Sequence, residues 1–204
     1  MTGSLTVYVG GMMSGKSSRL IQEITRYADA SSYSDENHNK PLLVNNALDS
    51  RSVETVVSSH SSQFKGISSR IDIVSSKKLN DVDVSKYDVI GIDEVQFFDD
   101  LRDTVVSWLK LGKHIYCAGL NGDAFQNHFG QVHMLLPICD HFEYLHAICQ
   151  MCMEEKRKET SILTPIDFQG MQASFSKRLS ASTSQVEVGA ADKYIAVCRK
   201  HFEV

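Results

Sequence analysis

At 204 residues the chain has room for one α/β domain and a small appendage, but not for a motor with two ATPase lobes or a polymerase. Its composition, 42% hydrophobic and 23% charged, excludes a disordered or fibrous protein, since a core of ordinary size can be buried. A formal net charge of -4 argues against nucleic acid as the main partner, because binding driven by counterion release needs a concentrated basic surface.

The longest apolar runs, Val89 to Ile92 and Met134 to Ile138, fall far short of the ~20 residues that span a bilayer. Met1 to Gly10 shows no basic segment leading into an apolar one, so no secretory signal is expected and the expected location is cytoplasmic. Five cysteines, an odd number in a reducing compartment, point to metal binding or burial rather than a disulfide framework.

In chain order, Leu5 to Val9 reads as a β-rich run ending in Gly10 and Gly11, and Ser17 to Ala30 turns helical, with Leu20, Ile21, Ile24 and Tyr27 on one face. Ser31 to Lys40 is almost devoid of apolar residues and reads as a mobile connection; Pro41 to Val44 opens a second strand. Ser50 to Ser69 is serine-rich and gives no clear period. Ile71 to Val74 reads as a strand, and Tyr87 to Asp93 as a buried strand ending in two carboxylates. A helix is expected from about Leu101 to Lys110, with Leu101, Val105, Trp108 and Leu109 on one side; Ile115 to Ala118 forms another buried strand before a turn at Gly119 to Gly122. Strands that are continuous apolar runs and alternate with helices predict a mainly parallel sheet covered by helices over residues 1–147. Residues 148–204 change character: cysteine pairs, a polar stretch from Met153 to Gln172 expected as an exposed loop, and strand-like pieces at Gln185 to Val188 and Tyr194 to Val197. So short a tail holds little core and is expected to be a second, metal-stapled domain.

Three patterns carry chemistry. Gly10-Gly11-Met12-Met13-Ser14-Gly15-Lys16-Ser17 satisfies G-x-x-x-x-G-K-[ST] directly between a strand and a helix. The glycines let backbone N–H groups converge on phosphate, Lys16 reaches the β and γ phosphates, and the Ser17 hydroxyl is suited to magnesium. A site of this kind needs a carboxylate at a neighbouring strand end, supplied by Asp93. Glu94, one residue further, is placed to take a proton from an attacking hydroxyl, whether water in an ATPase or a substrate alcohol in a kinase. Third, Cys149-x-x-Cys152 and Cys198-x-x-His201 form two ligand pairs, and four such donors at tetrahedral count indicate structural zinc. Cys117 and Cys139 lie in apolar text and are expected to be buried.

Taken together, GGMMSGKSSRL, IGIDEVQFF, AGLNGDAFQNHFG, SFSKRL and DKYIAVCRKH resemble, in order, the motifs of the type II thymidine kinase family. The resemblance covers most of residues 5 to 201. It implies a P-loop, RecA-like parallel sheet with a small zinc-held C-terminal lasso that covers the nucleoside. ATP with Mg2+ would donate its γ-phosphate to the 5'-hydroxyl of thymidine, and of deoxyuridine, with Glu94 as general base. Asp49, Ser50 and Arg51 match the family's D-x-R on the phosphate side, and Gln96 joins Asp93 and the P-loop there. Met12, Phe97 and Leu120 match positions lining the thymine pocket. Gln185, Val186, Glu187, Val188, Gly189 and Tyr194 fall on the lasso, with Ser176 near the 5-methyl side. The resemblance also implies a homotetramer and feedback inhibition by thymidine triphosphate.

The sequence departs from the family pattern in three places. Gly11 stands where proline is commoner. The stacking aromatic appears displaced by one in Ala124-Phe125, and is assigned to Phe125. The stretch between the zinc pairs is long, with the excess near Met153 to Gln172. Two other readings fit parts of the text: a nucleic-acid-stimulated P-loop ATPase with a zinc ribbon, because Asp93-Glu94-Val95-Gln96 resembles a helicase box, and a non-enzymatic zinc-ribbon adaptor.

Overall fold

The structure is a computed structural model describing residues 2–31, 40–47, 69–160, 162, 164–180, 184–185 and 193–203. Its centre is a six-stranded sheet built from β1 (Ser4–Gly10), β2 (Leu42–Asn46), β3 (Asp72–Ser76), β4 (Val89–Ile92), β5 (His114–Leu120) and β6 (His141–Leu145) in the order β3-β2-β4-β5-β1-β6. Every neighbouring pair is parallel. This is the sheet that continuous apolar strands require, because both faces are covered. Along β1, Leu5, Val7 and Val9 point into a cluster with Val105 and Trp108 of α2 (Leu101–Lys110). Tyr8 points the other way, to Leu20, Ile21 and Ile24 of α1 (Lys16–Ser31). The alternating direction of side chains on a strand thus assigns one helix to each face.

Register decides where the chemistry lies. Val9 pairs with Gly119 and Gly10 with Leu120, so the chain leaves β1 beside the end of β5. Ile92 pairs with Cys117, which puts Asp93 and Glu94 at the same, carboxyl, edge of the sheet. Ligands of open α/β sheets bind at that edge.

Apart from the piece at Gln185 to Val188, the expected strands and helices are found, with shifted ends: Pro41 precedes β2, Ile71 is buried just before β3, and Tyr87 packs in the core before β4. The long polar stretch is a correction. Instead of an exposed loop it contains α3 (Gln150–Glu159) and α4 (Pro165–Gln169). α3 begins on Cys149, whose Sγ accepts from the Cys152 N–H at 3.5 Å and whose carbonyl accepts from the Met153 N–H at 3.0 Å. A cysteine cap thus starts a helix with no fully buried residue, only Met151 and Cys152 lying against the C-terminal apolar cluster, and its Glu, Lys, Arg and Met residues are good helix formers. α4 starts at Thr164, whose N–H and hydroxyl both donate to Asp167 at 2.8 and 2.7 Å. Two short antiparallel pairs complete the described chain: β7 (Ala147–Ile148) with β8 (Gln172–Ala173), and β9 (Phe175–Arg178) with β10 (Tyr194–Val197). They enclose a small apolar cluster of Ala147, Cys149, Ala173, Ala196 and Val197, with Phe175 and Phe202 packed against it. α5 (Arg199–Phe202) is the last helix among the described residues. Gln185 is not in a strand, and Val186, Glu187 and Val188 lie outside the described residues. Cys117 is buried as expected, whereas Cys139 is half-buried. Among the described residues no helix is long and apolar enough to cross a membrane.

Candidate active site

Gly10 ends β1, and the loop that follows turns through left-handed backbone at Met13 (φ 62°) and Gly15 (φ 83°) before α1 starts at Lys16. That geometry aims successive N–H groups into one concavity at a helix N-terminus. Lys16 is buried and donates to the Gly11 carbonyl at 2.8 Å, so its ammonium is held over the loop. The Ser17 hydroxyl donates to Asp93 Oδ1 at 3.0 Å, joining the phosphate loop to the end of β4. Asp93 is 3% exposed. Burial pushes its carboxyl well above the usual carboxylate range, and the neighbouring Glu94 charge pushes the same way. A buried carboxylate beside a serine hydroxyl is a pair of hard oxygens, a donor set that suits a small divalent cation.

Glu94 adopts left-handed backbone (φ 51°, ψ 44°), unusual for a residue with a side chain and found mainly where function requires it. Its N–H donates to Asp93 Oδ1 at 3.0 Å, which holds the turn. Its carboxylate accepts from Gln96 Nε2 at 2.5 Å. The buried Gln96 accepts in turn from the Leu120 N–H at 3.1 Å. Ser17, Asp93, Glu94, Gln96 and Leu120 therefore form one hydrogen-bonded chain from the phosphate loop to the last residue of β5, where the next loop begins. Gly130 (φ 55°) closes that loop so tightly that a Cβ would overlap the Gln96 carbonyl oxygen. Gly130→Ala is accordingly expected to lower stability by more than ~1 kcal/mol and to lower kcat with it, because Gln96 must move. Thermal unfolding and steady-state kinetics of that variant check this, and an unchanged Tm with unchanged kcat would contradict it.

Beyond Leu120, Phe97 is half-buried, packs edge-on against Phe129 with ring centroids 5.5 Å apart, and has its carbonyl fixed by Asn46 Nδ2 at 3.1 Å. Asp123 organises the next turn by accepting from the Phe125 and Asn127 N–H groups at 2.9 and 2.8 Å. Phe125 is 48% exposed, and so is not a core residue. Gln185 Nε2 donates to Asp123 Oδ2 at 2.9 Å, bringing a predicted lasso residue onto this turn. Ser176 is buried on β9 and accepts from the Met12 N–H at 2.8 Å. It thus braces the phosphate loop from the C-terminal segment, a contact the sequence did not disclose. Met12 and Leu120 are half-buried, Met13 is exposed beside Gln150, and Tyr194 is buried on β10. Asp49, Ser50, Arg51, Val186, Glu187, Val188 and Gly189 lie outside the described residues. Phe129, which the sequence offers with Phe97 as the alternative aromatic wall should Phe125 not stack, is placed against Phe97 by this edge-on contact.

Cys149, Cys152, Cys198 and His201 converge, with all four ligand atoms within 4.8 Å of one another. Cys152 Sγ lies 3.7 Å from Cys198 Sγ, and His201 Nδ1 lies 3.3, 3.4 and 3.4 Å from the three sulfurs. A tetrahedral zinc with ordinary bond lengths needs about 3.8 Å between sulfurs and about 3.5 Å from sulfur to nitrogen, so the cluster fits the ion. His201 Nε2 faces Glu155 Oε1 at 3.1 Å, which orients the ring with Nδ1 toward the sulfurs.

The model of the thymidine kinase family matches residues 3–202. A thymidine kinase of fowlpox virus is 34% identical to this chain over 206 residues, covering 98% of the chain and 97% of the viral protein. The cytosolic thymidine kinase of Gallus gallus is 31% identical over 199 residues, covering 97% of the chain and 75% of the bird protein. That of myxoma virus is 31% identical over 200 residues, covering 97% and 95%.

Proposed function

Because the chain belongs to the thymidine kinase family and so phosphorylates thymidine with ATP, we propose that Glu94 is the general base acting on the 5'-hydroxyl. The observation that carries this reading is the hydrogen-bonded chain from Ser17 through Asp93 and Glu94 to Gln96 and Leu120. It sets one carboxylate, on a locked left-handed turn, between the phosphate loop and the loop that carries the pocket aromatics. The readings as a nucleic-acid-stimulated ATPase or a zinc-ribbon adaptor are not favoured.

In the mechanism, the loop Gly10–Ser17 binds the phosphates through its N–H groups, and Lys16 balances charge on the γ-phosphoryl as its bond to the β-phosphate breaks. Ser17 and Asp93 are the residues that would hold Mg2+, which supplies charge neutralisation of the phosphates when bound. The 5'-oxygen of thymidine attacks the γ-phosphorus, its proton passes to the Glu94 carboxylate, and ADP leaves. Gln96 keeps that carboxylate oriented. Asp49, Ser50 and Arg51 are assigned to the phosphate side. Met12, Phe97, Leu120, Phe125 and Tyr194 are assigned to the nucleoside, with Phe129 added as Phe97's edge-on partner. Val186, Glu187, Val188 and Gly189 are assigned to the base through their backbone. Residues 1–147 act as the ATP-binding unit and 148–204 as the zinc-held cover. Deoxyuridine as a further substrate, a homotetramer, inhibition by thymidine triphosphate and a cytoplasmic location complete the reading.

Rates with thymidine, deoxyuridine, deoxycytidine and deoxyguanosine test it, thymidine being the expected preferred acceptor; equal rates with all four would overturn the assigned pocket. A sharper test is Phe125→Ala. Its ring is half-exposed, so truncation leaves no core cavity, and the loss falls on nucleoside binding at ~1 to 3 kcal/mol for a stacked base. Thymidine KM should rise accordingly while ATP KM holds. An unchanged thymidine KM would move the stacking role to Phe129 or Phe97.

A further inference from the structure

β9 and β10 pair in a register that sets Arg178 directly opposite Tyr194. The Arg178 guanidinium donates twice to the Tyr194 hydroxyl oxygen, from Nη2 at 2.8 Å and from Nε at 3.2 Å. It also donates from Nη1 to the Ser184 carbonyl at 2.5 Å and from Nη2 to the Gln185 carbonyl at 3.2 Å. Its planar carbon lies 5.3 Å from the Tyr194 ring centroid and 5.4 Å from that of Phe125. One side chain therefore touches four points on three separate stretches of chain.

The circuit closes through Gln185. With its carbonyl held by Arg178, its side-chain amide donates to Asp123 Oδ2 at 2.9 Å and to the His128 carbonyl at 3.2 Å. Asp123 is the residue that fixes the N–H of Phe125. Arg178 thus acts on Phe125 twice: directly, through its guanidinium plane, and indirectly, through Gln185 and the Asp123 turn. Only a planar fork with donors along two edges and an apolar face can serve all these partners at once; a lysine ammonium has the charge but neither the plane nor the second set of donors.

We propose that Arg178 is a positioning residue for thymidine, presenting Phe125 and Tyr194 in a fixed relation so that binding the base orders few further groups. The proposal rests on the nucleoside-site reading above and deepens it. The contacts described run from Arg178 to Tyr194, Ser184, Gln185 and Phe125, all on the assigned nucleoside side, so its effect is expected on thymidine more than on ATP. Preorganisation of this kind acts on affinity by removing ordering costs that substrate binding would otherwise carry.

The test is steady-state kinetics of Arg178→Ala, Arg178→Lys and Gln185→Ala beside the wild type, with each substrate varied in turn and bound zinc measured on the same samples. Wild-type phosphorylation of thymidine is the control for the underlying reading; without it that reading fails before the variants are considered. Both Arg178 variants should raise thymidine KM by ~10-fold or more while ATP KM stays within about twofold. Added guanidinium should partly restore thymidine KM in Arg178→Ala and not in Arg178→Lys, which a merely structural loss would not show. The double variant Arg178→Ala, Gln185→Ala should cost clearly less than the product of the two single effects, because both act on one circuit. Unchanged thymidine KM in Arg178→Lys would overturn the proposal. So would a matched rise of both KM values with loss of zinc, or a double variant whose effects simply multiply. If Arg178→Ala does not fold, Arg178→Lys and Gln185→Ala decide by the same KM split.

Discussion

Glu94→Gln is expected to bind ATP and thymidine much as the wild type does while kcat falls by ~10² to 10⁴, the range typical of a lost general base. The amide keeps the shape of the carboxylate and can still meet Gln96, so the turn at φ 51° and the link to Leu120 survive. What is lost is proton affinity at the one carboxylate on that turn that is not committed to Ser17. Asp93 is a poor substitute because its oxygen already accepts from the Ser17 hydroxyl and from the Glu94 N–H. Stopped-flow binding of each substrate with the steady-state rate separates these effects. A variant that kept more than about a third of wild-type kcat would be far outside the range for general-base loss, and the base would have to be sought elsewhere.

Removing the metal is the second large effect. The apolar cluster beneath the Cys/His site is small, made mainly of alanines and one valine, and cannot order its strands alone. Zinc held by four protein donors contributes folding free energy outright, with apparent values on the order of 10 kcal/mol. Cys198→Ser, or prolonged treatment with a strong chelator, should abolish the roughly one zinc per chain that four donors imply and release β9 and β10, which carry Arg178 and Tyr194. Thymidine KM should then rise by ~10-fold or more. ATP KM should rise less: the central sheet keeps its own core, but the Met12 N–H loses its Ser176 acceptor. Metal-free protein with a wild-type thymidine KM would contradict the account of this segment.

The phosphate loop, the Asp93-Glu94 pair and the zinc ligands were legible because each is local. A few residues at fixed spacing, next to a strand or in one turn, already contain the geometry that the chemistry needs. β1, β4 and β5 were legible for a related reason, since strands buried on both faces are continuous apolar runs. The elements that escaped depend on the third dimension. α3 has no fully buried residue and hence no clear apolar period, and its start is set by a cysteine cap within the metal cluster. β6 alternates His141, Phe142, Glu143, Tyr144 and Leu145 at the sheet's edge, with little burial to mark it. Ser176 is placed by resemblance near the 5-methyl side, but its hydrogen bond from the Met12 N–H needs β9 laid against the phosphate loop, and the contacts of Arg178 need the register that sets it opposite Tyr194. The edge-on pairing of Phe97 with Phe129 joins residues that no spacing rule connects.

The central claim is that one site couples the phosphate loop to a thymidine 5'-hydroxyl through Glu94. The most direct measurement follows labelled γ-phosphate of ATP, with thymidine present or absent and with single-stranded DNA added in parallel. The account predicts that label accumulates in thymidine 5'-monophosphate, that little inorganic phosphate forms without thymidine, and that DNA has no effect. Label released chiefly as inorganic phosphate, indifferent to thymidine or stimulated by DNA, would contradict it.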